Sequence, residues 1–215
     1  MTDATALARR AAALLDGERR VVLGIAGPPG AGKSTLVEDL VARLRAAPPP
    51  SAGSDWVAHV PMDGFHLADA QLDRLGRRDR KGAPDTFDSG GYLATLRRVA
   101  DDSDSAVYAP CFERGLEQPI AAAVVVPAEA RLVVTEGNYL LLPDGDWPAI
   151  RSVMAEVWYV DLPAAERTRR LVARHVASGK TATEARRWVE RVDEANARLV
   201  EETRRHADLV VGMPR

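Results

Sequence analysis

Gly27-Pro28-Pro29-Gly30-Ala31-Gly32-Lys33-Ser34-Thr35 fits the pattern G-x-x-x-x-G-K-[ST], whose backbone cradles phosphates. Gly27, Gly30 and Gly32 let the chain turn tightly and aim N–H groups inward. With the positive end of the helix that follows, these donors make an anion site. Lys33 can reach the β- and γ-phosphates of a nucleotide, and the Ser34 hydroxyl can ligate Mg²⁺. Two carboxylates stand where such a site can use them. Asp63, in Pro61-Met62-Asp63-Gly64-Phe65-His66-Leu67, can accept or orient the proton of an attacking hydroxyl. Its other reading is an Asp-Gly turn or a helix cap. Glu136 closes the apolar run Leu132-Val133-Val134-Thr135 and can hold Mg²⁺ or its waters. Arg167, Arg170 and Arg174 recur at helical spacing on one face. Such a stripe either faces solvent or clamps phosphates and transition-state charge.

These residues need strands and helices to hold them. Val21 to Ala26 is a short apolar, β-branched run that reads as a buried strand. Leu36, Val37, Leu40, Val41 and Leu44 then recur as in a helix, over about 33–46. Pro48 to Gly53 cannot continue it and reads as a surface linker. Trp56 to Val60 reads as the second strand. Asp63 falls just beyond its carboxyl end, where open α/β folds bind ligands. His66 lies one turn further on. The stretch 76–88 is a polar, basic loop containing Lys81 and Phe87, long enough to suggest a role. Asp88-Ser89 caps a helix carrying Tyr92, Leu93, Leu96 and Val99. Ser105 to Ala109 is the third strand expected, ending in Pro110-Cys111-Phe112-Glu113-Arg114. Ala121 to Val126 reads as an extra strand in a small hairpin. Arg131 to Thr135 and Val153 to Leu162 are buried strands, and Ala207 to Val211 is a last one. Pro163 opens a helix at its favoured first-turn position. Ser178-Gly179-Lys180-Thr181 interrupts the helical pattern like a hinge, and a second helix runs through Ala185, Trp188, Val192 and Leu199. The expected fold is a single α/β domain over 1–215, a doubly wound parallel five-stranded sheet with helices on both faces. A helical lid falls at about 165–185.

The chain has 215 residues, a net charge of −2 and 28% charged residues. That balance argues against nucleic-acid binding driven by bulk charge. No run approaches the roughly 20 apolar residues of a membrane helix. Met1 to Arg20 lacks a signal-peptide pattern; Ala6, Leu7, Ala11, Leu14 and Leu15 suggest an amphipathic helix ending near Gly17. The single cysteine, Cys111, excludes an intrachain disulfide framework and suits the cytoplasm. Of 29 basic residues only Lys33, Lys81 and Lys180 are lysines, so a lysine kept against that bias draws notice.

Several motifs in order resemble one family. The chain looks like the P-loop kinase group of uridine kinase, phosphoribulokinase and bacterial type I pantothenate kinase. It is most similar to the nucleoside/nucleotide kinase-like, or fructose-transport-system kinase, branch. Pro-Met-Asp-Gly-Phe-His-Leu at 61–67, Arg-Lys-Gly-Ala-Pro-x-Thr-Phe-Asp at 80–88 and Glu-Gly-Asn-Tyr-Leu-Leu-Leu at 136–142 carry the likeness. So do Arg-His-x-x-x-Gly-Lys at 174–180, Asp-x-x-Asn-Ala-x-Leu at 193–199 and Ala-Asp-Leu-Val at 207–210. The resemblance implies ATP and Mg²⁺ as cofactors and a hydroxyl of a small metabolite as acceptor. It implies that residues 27–35 bind phosphates, that Ser34 and Glu136 (the Walker B acid) serve Mg²⁺, and that Asp63 is the base. Lys33, Arg170 and Arg174 would stabilise transferring charge. Phe112 and Glu113 resemble the aromatic–acid pair that helps hold substrate, and His66, Lys81, Phe87, Arg114 and Tyr139 would complete the substrate pocket. Pantothenate kinase has a histidine where Arg114 falls. The histidine-containing specificity stretch of uridine kinase has no counterpart in Gly115-Leu116-Glu117-Gln118. The acceptor is therefore open among sugars, nucleosides and vitamin precursors, as are the oligomeric state, a homodimer included, and a partner-regulated ATPase as the alternative activity.

Overall fold

The structure is a computed structural model that describes residues 3–15, 17, 19–49, 52–53, 55–101 and 104–213. The chain begins with helix α1 (Ala4–Ala12), strand β1 (Val21–Ala26), helix α2 (Lys33–Ala46) and strand β2 (Val57–Pro61). Helices α3 (Asp69–Leu75) and α4 (Ser89–Asp101) lead to strands β3 (Val107–Glu113) and β4 (Gln118–Val126). Strand β5 (Leu132–Gly137), helix α5 (Trp147–Ser152), strand β6 (Glu156–Asp161), helices α6 (Ala164–Ala177), α7 (Ala182–Trp188) and α8 (Glu194–Glu202), and strand β7 (Leu209–Gly212) complete it. Five strands form one sheet in the order β2-β5-β1-β6-β7, and every pairing in it is parallel.

Burial explains the layout. All six residues of β5 are buried, and all but the first of β1, as expected for central parallel strands covered on both faces. On one face α1 and α2 bury Leu7, Val37 and Leu40 against Leu23, Ile25 and Trp158. On the other, α4 and α5 bury Tyr92, Leu96, Trp147 and Ile150 against Val22, Val133 and Tyr159. Helix α2 has the bounds read from its apolar spacing. Among the described residues, no helix is long and apolar enough to cross a membrane.

The sheet has the expected five strands, but the third strand of the sequence does not join it. The run expected over 105–109 extends to Glu113 and pairs antiparallel with β4 in a separate two-stranded hairpin. The turn at 114–117 makes that antiparallel pairing local. Strand β7 fills the edge instead. The single helix expected over 185–199 is also more complex. Helix α7, opened by a Thr181–Glu184 capping box, passes through a π-helical turn at Val189–Asp193 into α8. Such turns often accompany functional sites.

Candidate active site

The loop between β1 and α2 turns through Gly30 (φ +76) and Gly32 (φ +94), a left-handed backbone that side chains disfavour. Helix α6 rests on it: a Cβ at Gly30 would lie 2.9 Å from Leu171 Cγ and 3.0 Å from the Arg167 carbonyl oxygen. Lys33 Nζ donates to the carbonyl oxygens of Gly27 (3.0 Å) and Pro28 (3.2 Å) and to Asn138 Oδ1 (2.6 Å). Burial pulls its pKa down to about 8, against the fields of Glu136 and Asp63. Pro29, Gly30, Gly32, Lys33, Ser34 and Thr35 line the cleft above the loop. Gly27 and Pro28 serve Lys33 from below, and Ala31 is buried in the core.

Parallel pairing sets Pro61 beside Glu136. The carboxylate of Glu136 and the short 3₁₀ turn Met62–Phe65, which carries Asp63, therefore reach the same edge of the sheet. Burial raises the Glu136 pKa; Lys33 and a hydrogen bond from Ser34 oppose that. Among the described residues, no group of three or more His, Cys, Asp or Glu is disposed to hold a metal. Ser34 and Glu136 instead offer hard oxygen donors beside a phosphate loop. That suits Mg²⁺, which takes one or two protein oxygens together with substrate phosphates.

The cleft has a volume of about 970 Å³, at the upper end of the ~300–1,000 Å³ usual for ligand sites. Asp63, His66, Phe87, Phe112 and Arg114 also line the cleft, and Arg170 and Arg174 line it from α6. His66 Nδ1 lies 2.9 Å from the carbonyl oxygen of Asp63. A carbonyl only accepts, so Nδ1 carries the proton and Nε2 is left as an acceptor. The His66 ring lies 4.0 Å from Phe87 and 4.9 Å from Phe112. Burial lowers its pKa and favours the neutral ring. Lys81 Nζ donates to Asp69 Oδ1 (2.7 Å) and to the Glu117 carbonyl (2.6 Å), and sits 5.1 Å from the Phe112 ring centre. Arg170 Nε donates to Glu166 Oε1 at 2.8 Å, while its Nη1 stands 3.4 Å from where a Gly32 Cβ would be.

Some expected residues lie elsewhere. Glu113 is not among the residues lining the cleft; its Oε1 accepts from the Gly115 N–H at 2.9 Å. Successive strand residues face opposite ways, so with Phe112 inward Glu113 points out. Tyr139 is fully buried and also does not line the cleft. Its hydroxyl donates to the Gly82 carbonyl, anchoring the loop that carries Lys81. Arg167 does not join Arg170 and Arg174. It is 1% exposed and turns to α8, pairing with Glu194 (3.4 Å) and Glu201 (2.5 Å). The sequence reading missed Asn138, which receives Lys33, and Asn196, whose Nδ2 donates to the Gly82 carbonyl at 3.3 Å. Asn138 had a signal, since it follows the strand-end acid by two residues. Asn196 stands in the motif at 193–199, but its partner, 114 residues away, gave its role no local sign.

No family model matches the chain. A Schizosaccharomyces pombe protein named "putative uridine kinase" is 34% identical over 211 residues, 95% of this chain and 88% of its own. The crystal structure of a "putative fructose transport system kinase" from a Silicibacter species superposes with a TM-score of 0.88 at 34% identity. It covers 98% of this chain and 100% of its own. YFH7 from Saccharomyces cerevisiae, described as "a putative P-loop containing kinase", shares the fold at TM-score 0.80 and 22% identity, covering 100% and 99%. With the phosphate loop, the strand-end acid and the arginine-bearing helix over one cleft, these likenesses show that the chain belongs to the uridine kinase-like family of ATP-dependent P-loop kinases.

Proposed function

We propose that the protein transfers the γ-phosphoryl group of Mg²⁺-ATP to a hydroxyl of a small metabolite: a sugar, a nucleoside or a pantothenate-like alcohol. One observation carries the reading. The Asp63 carboxylate lines the same cleft as the phosphate loop and acts on the charge of Lys33. A base and a phosphate anchor facing one space is what transfer to a hydroxyl requires.

The residues divide the work. Backbone N–H groups of the loop hold the β- and γ-phosphates, and Lys33 leaves its carbonyl and Asn138 partners to reach them. Bound through Ser34 and Glu136, Mg²⁺ would neutralise charge on the phosphate oxygens. Asp63 takes the proton of the acceptor hydroxyl as that oxygen bonds to the γ-phosphorus and the bond to ADP breaks. His66 fixes the Asp63 backbone, and so the direction of its carboxylate. Arg170 and Arg174 close from α6 on the charge that spreads over the transferring group. Phe87 and Phe112 give the acceptor an apolar wall. Pure protein with Mg²⁺-ATP and a panel of sugars, nucleosides, pantothenate and related alcohols tests this. The expected result is ADP release that one acceptor raises well above the acceptor-free blank. Steady ATP hydrolysis that no acceptor alters would contradict it.

A further inference from the structure

The cations around the cleft differ in what already neutralises them. On the nucleotide side, Arg170 pairs with Glu166. On the acceptor side, Lys81 and Arg78 both close on Asp69, each at 2.7 Å. Arg114 is the exception on that side. It lines the cleft, and among the described residues its guanidinium makes no hydrogen bond or ion pair. Glu117, three residues on, also lines the cleft, yet no ion pair joins the two, and its field falls on His66. Arg114 is near enough to Glu136 to favour its charged form. That carboxylate is already engaged by Lys33 and Ser34 and, on the kinase reading, by Mg²⁺.

The base under Arg114 is fixed. Its hairpin tip is held by Lys81 to the Glu117 carbonyl (2.6 Å) and by the Asp69 N–H to Gln118 Oε1 (3.1 Å). Glu117 adopts φ +53, a conformation costing a non-glycine residue roughly 1 kcal/mol or more that these ties maintain. A planar guanidinium on a fixed turn, with no carboxylate of its own, is suited to bidentate capture of a phosphate or carboxylate. Arg114 and Asp63 share the cleft with Phe112, His66 and Phe87, whose rings pack together (4.9 and 4.0 Å) and offer a carbon skeleton a wall to rest against.

We propose that the phosphoryl acceptor carries, besides the hydroxyl facing Asp63, an anionic group that Arg114 binds at the hairpin tip, so that the enzyme acts on hydroxylated anions rather than neutral alcohols. This rests on the kinase reading, but its test does not need turnover. The protein is loaded with Mg²⁺ and a non-hydrolysable ATP analogue, which fills the phosphate loop. It is then titrated by calorimetry with glycerol, glycerate and glycerol 3-phosphate, and with ribose, ribonate and ribose 5-phosphate. Binding of an anionic member, with its neutral parent at least tenfold weaker, is expected. Which anion binds separates carboxylate from phosphate. Arg114→Gln should lower that affinity at least tenfold with nucleotide affinity unchanged, and Arg114→Lys should recover part of it. Equal binding of the neutral parent, no anion binding, or anion binding unchanged in Arg114→Gln would each overturn the proposal. Failure of the kinase reading looks different: Arg114-dependent anion binding would persist while no acceptor raised ADP release.

Discussion

Gly64 follows Asp63, and its missing side chain is what lets the turn that carries Asp63 press against the hairpin. A Cβ there would lie 2.2 Å from the Pro110 carbonyl oxygen, 2.6 Å from its carbon and 3.0 Å from the Cys111 nitrogen. All three are backbone atoms, so no rotamer change relieves the overlap. Gly64 is not among the glycines with positive φ, so alanine can adopt its backbone and the clash alone is tested. Restoring an ordinary contact moves turn and hairpin apart by about 1 Å. Overpacking of this kind costs ~1–3 kcal/mol, or roughly 2–12 °C in Tm for a chain of this size. A displacement of about 1 Å at a catalytic carboxylate costs on the order of 10²-fold in turnover. Gly64→Ala should therefore lose both stability and kcat, read by thermal unfolding and ADP release. Its affinity for an ATP analogue should hold, because the phosphate loop belongs to β1 and α2. Gly212→Ala is the control, since a Cβ there meets nothing within 4 Å. Wild-type Tm and kcat in Gly64→Ala would refute the argument.

Three further outcomes follow from the same geometry. Arg167→Met should cost about 2–3 kcal/mol by chemical denaturation, below the ~3–5 of a fully buried pair because both glutamates stay partly hydrated; unchanged stability with lost turnover would restore Arg167 to the phosphate site. Tyr139→Phe removes the hydroxyl that holds Gly82, at about 1 kcal/mol. It should raise KM for the acceptor and leave KM for ATP alone; an equal rise in both would count against that role. Chelation should abolish turnover, and Glu136→Gln should raise the Mg²⁺ concentration at half-maximal rate roughly tenfold or more. An unchanged Mg²⁺ titration would remove Glu136 from the metal site.

The nucleotide side was legible because its chemistry is local. Residues 27–35 are consecutive, and the strand and helix that position them show their own periodicities. Asp63 and Glu136 could be read by position, Asp63 just past the carboxyl end of β2 and Glu136 in the last two residues of β5. The acceptor side was less legible because distant pairings decide it. Which way Glu113 faces depends on the register of β3 with β4, where Ala109 pairs with Val124 but Cys111 with Ile120. The bulge between them places Ala122 at φ +54, and no local pattern announces it. Helical spacing put Arg167 in line with Arg170 and Arg174, but Glu194 and Glu201 arrive from α8, well over twenty residues later. Tyr139 stood in a motif beside the site, yet its depth is set by Phe87 and Trp147, which pack on its ring at 5.7 and 5.6 Å.

Asp63 bears most of the mechanistic account, and Asp63→Asn tests it with almost no change of shape. With an acceptor that supports ADP release, turnover would be compared between wild type and variant at saturating ATP. Affinity for an ATP analogue would be measured in parallel. The expected result is a fall in kcat of about 10²–10⁴-fold, the worth of a positioned base, with nucleotide affinity unchanged. Turnover within a few-fold of wild type would contradict it, and would mean that Asp63 is the turn residue its Asp-Gly sequence also allows.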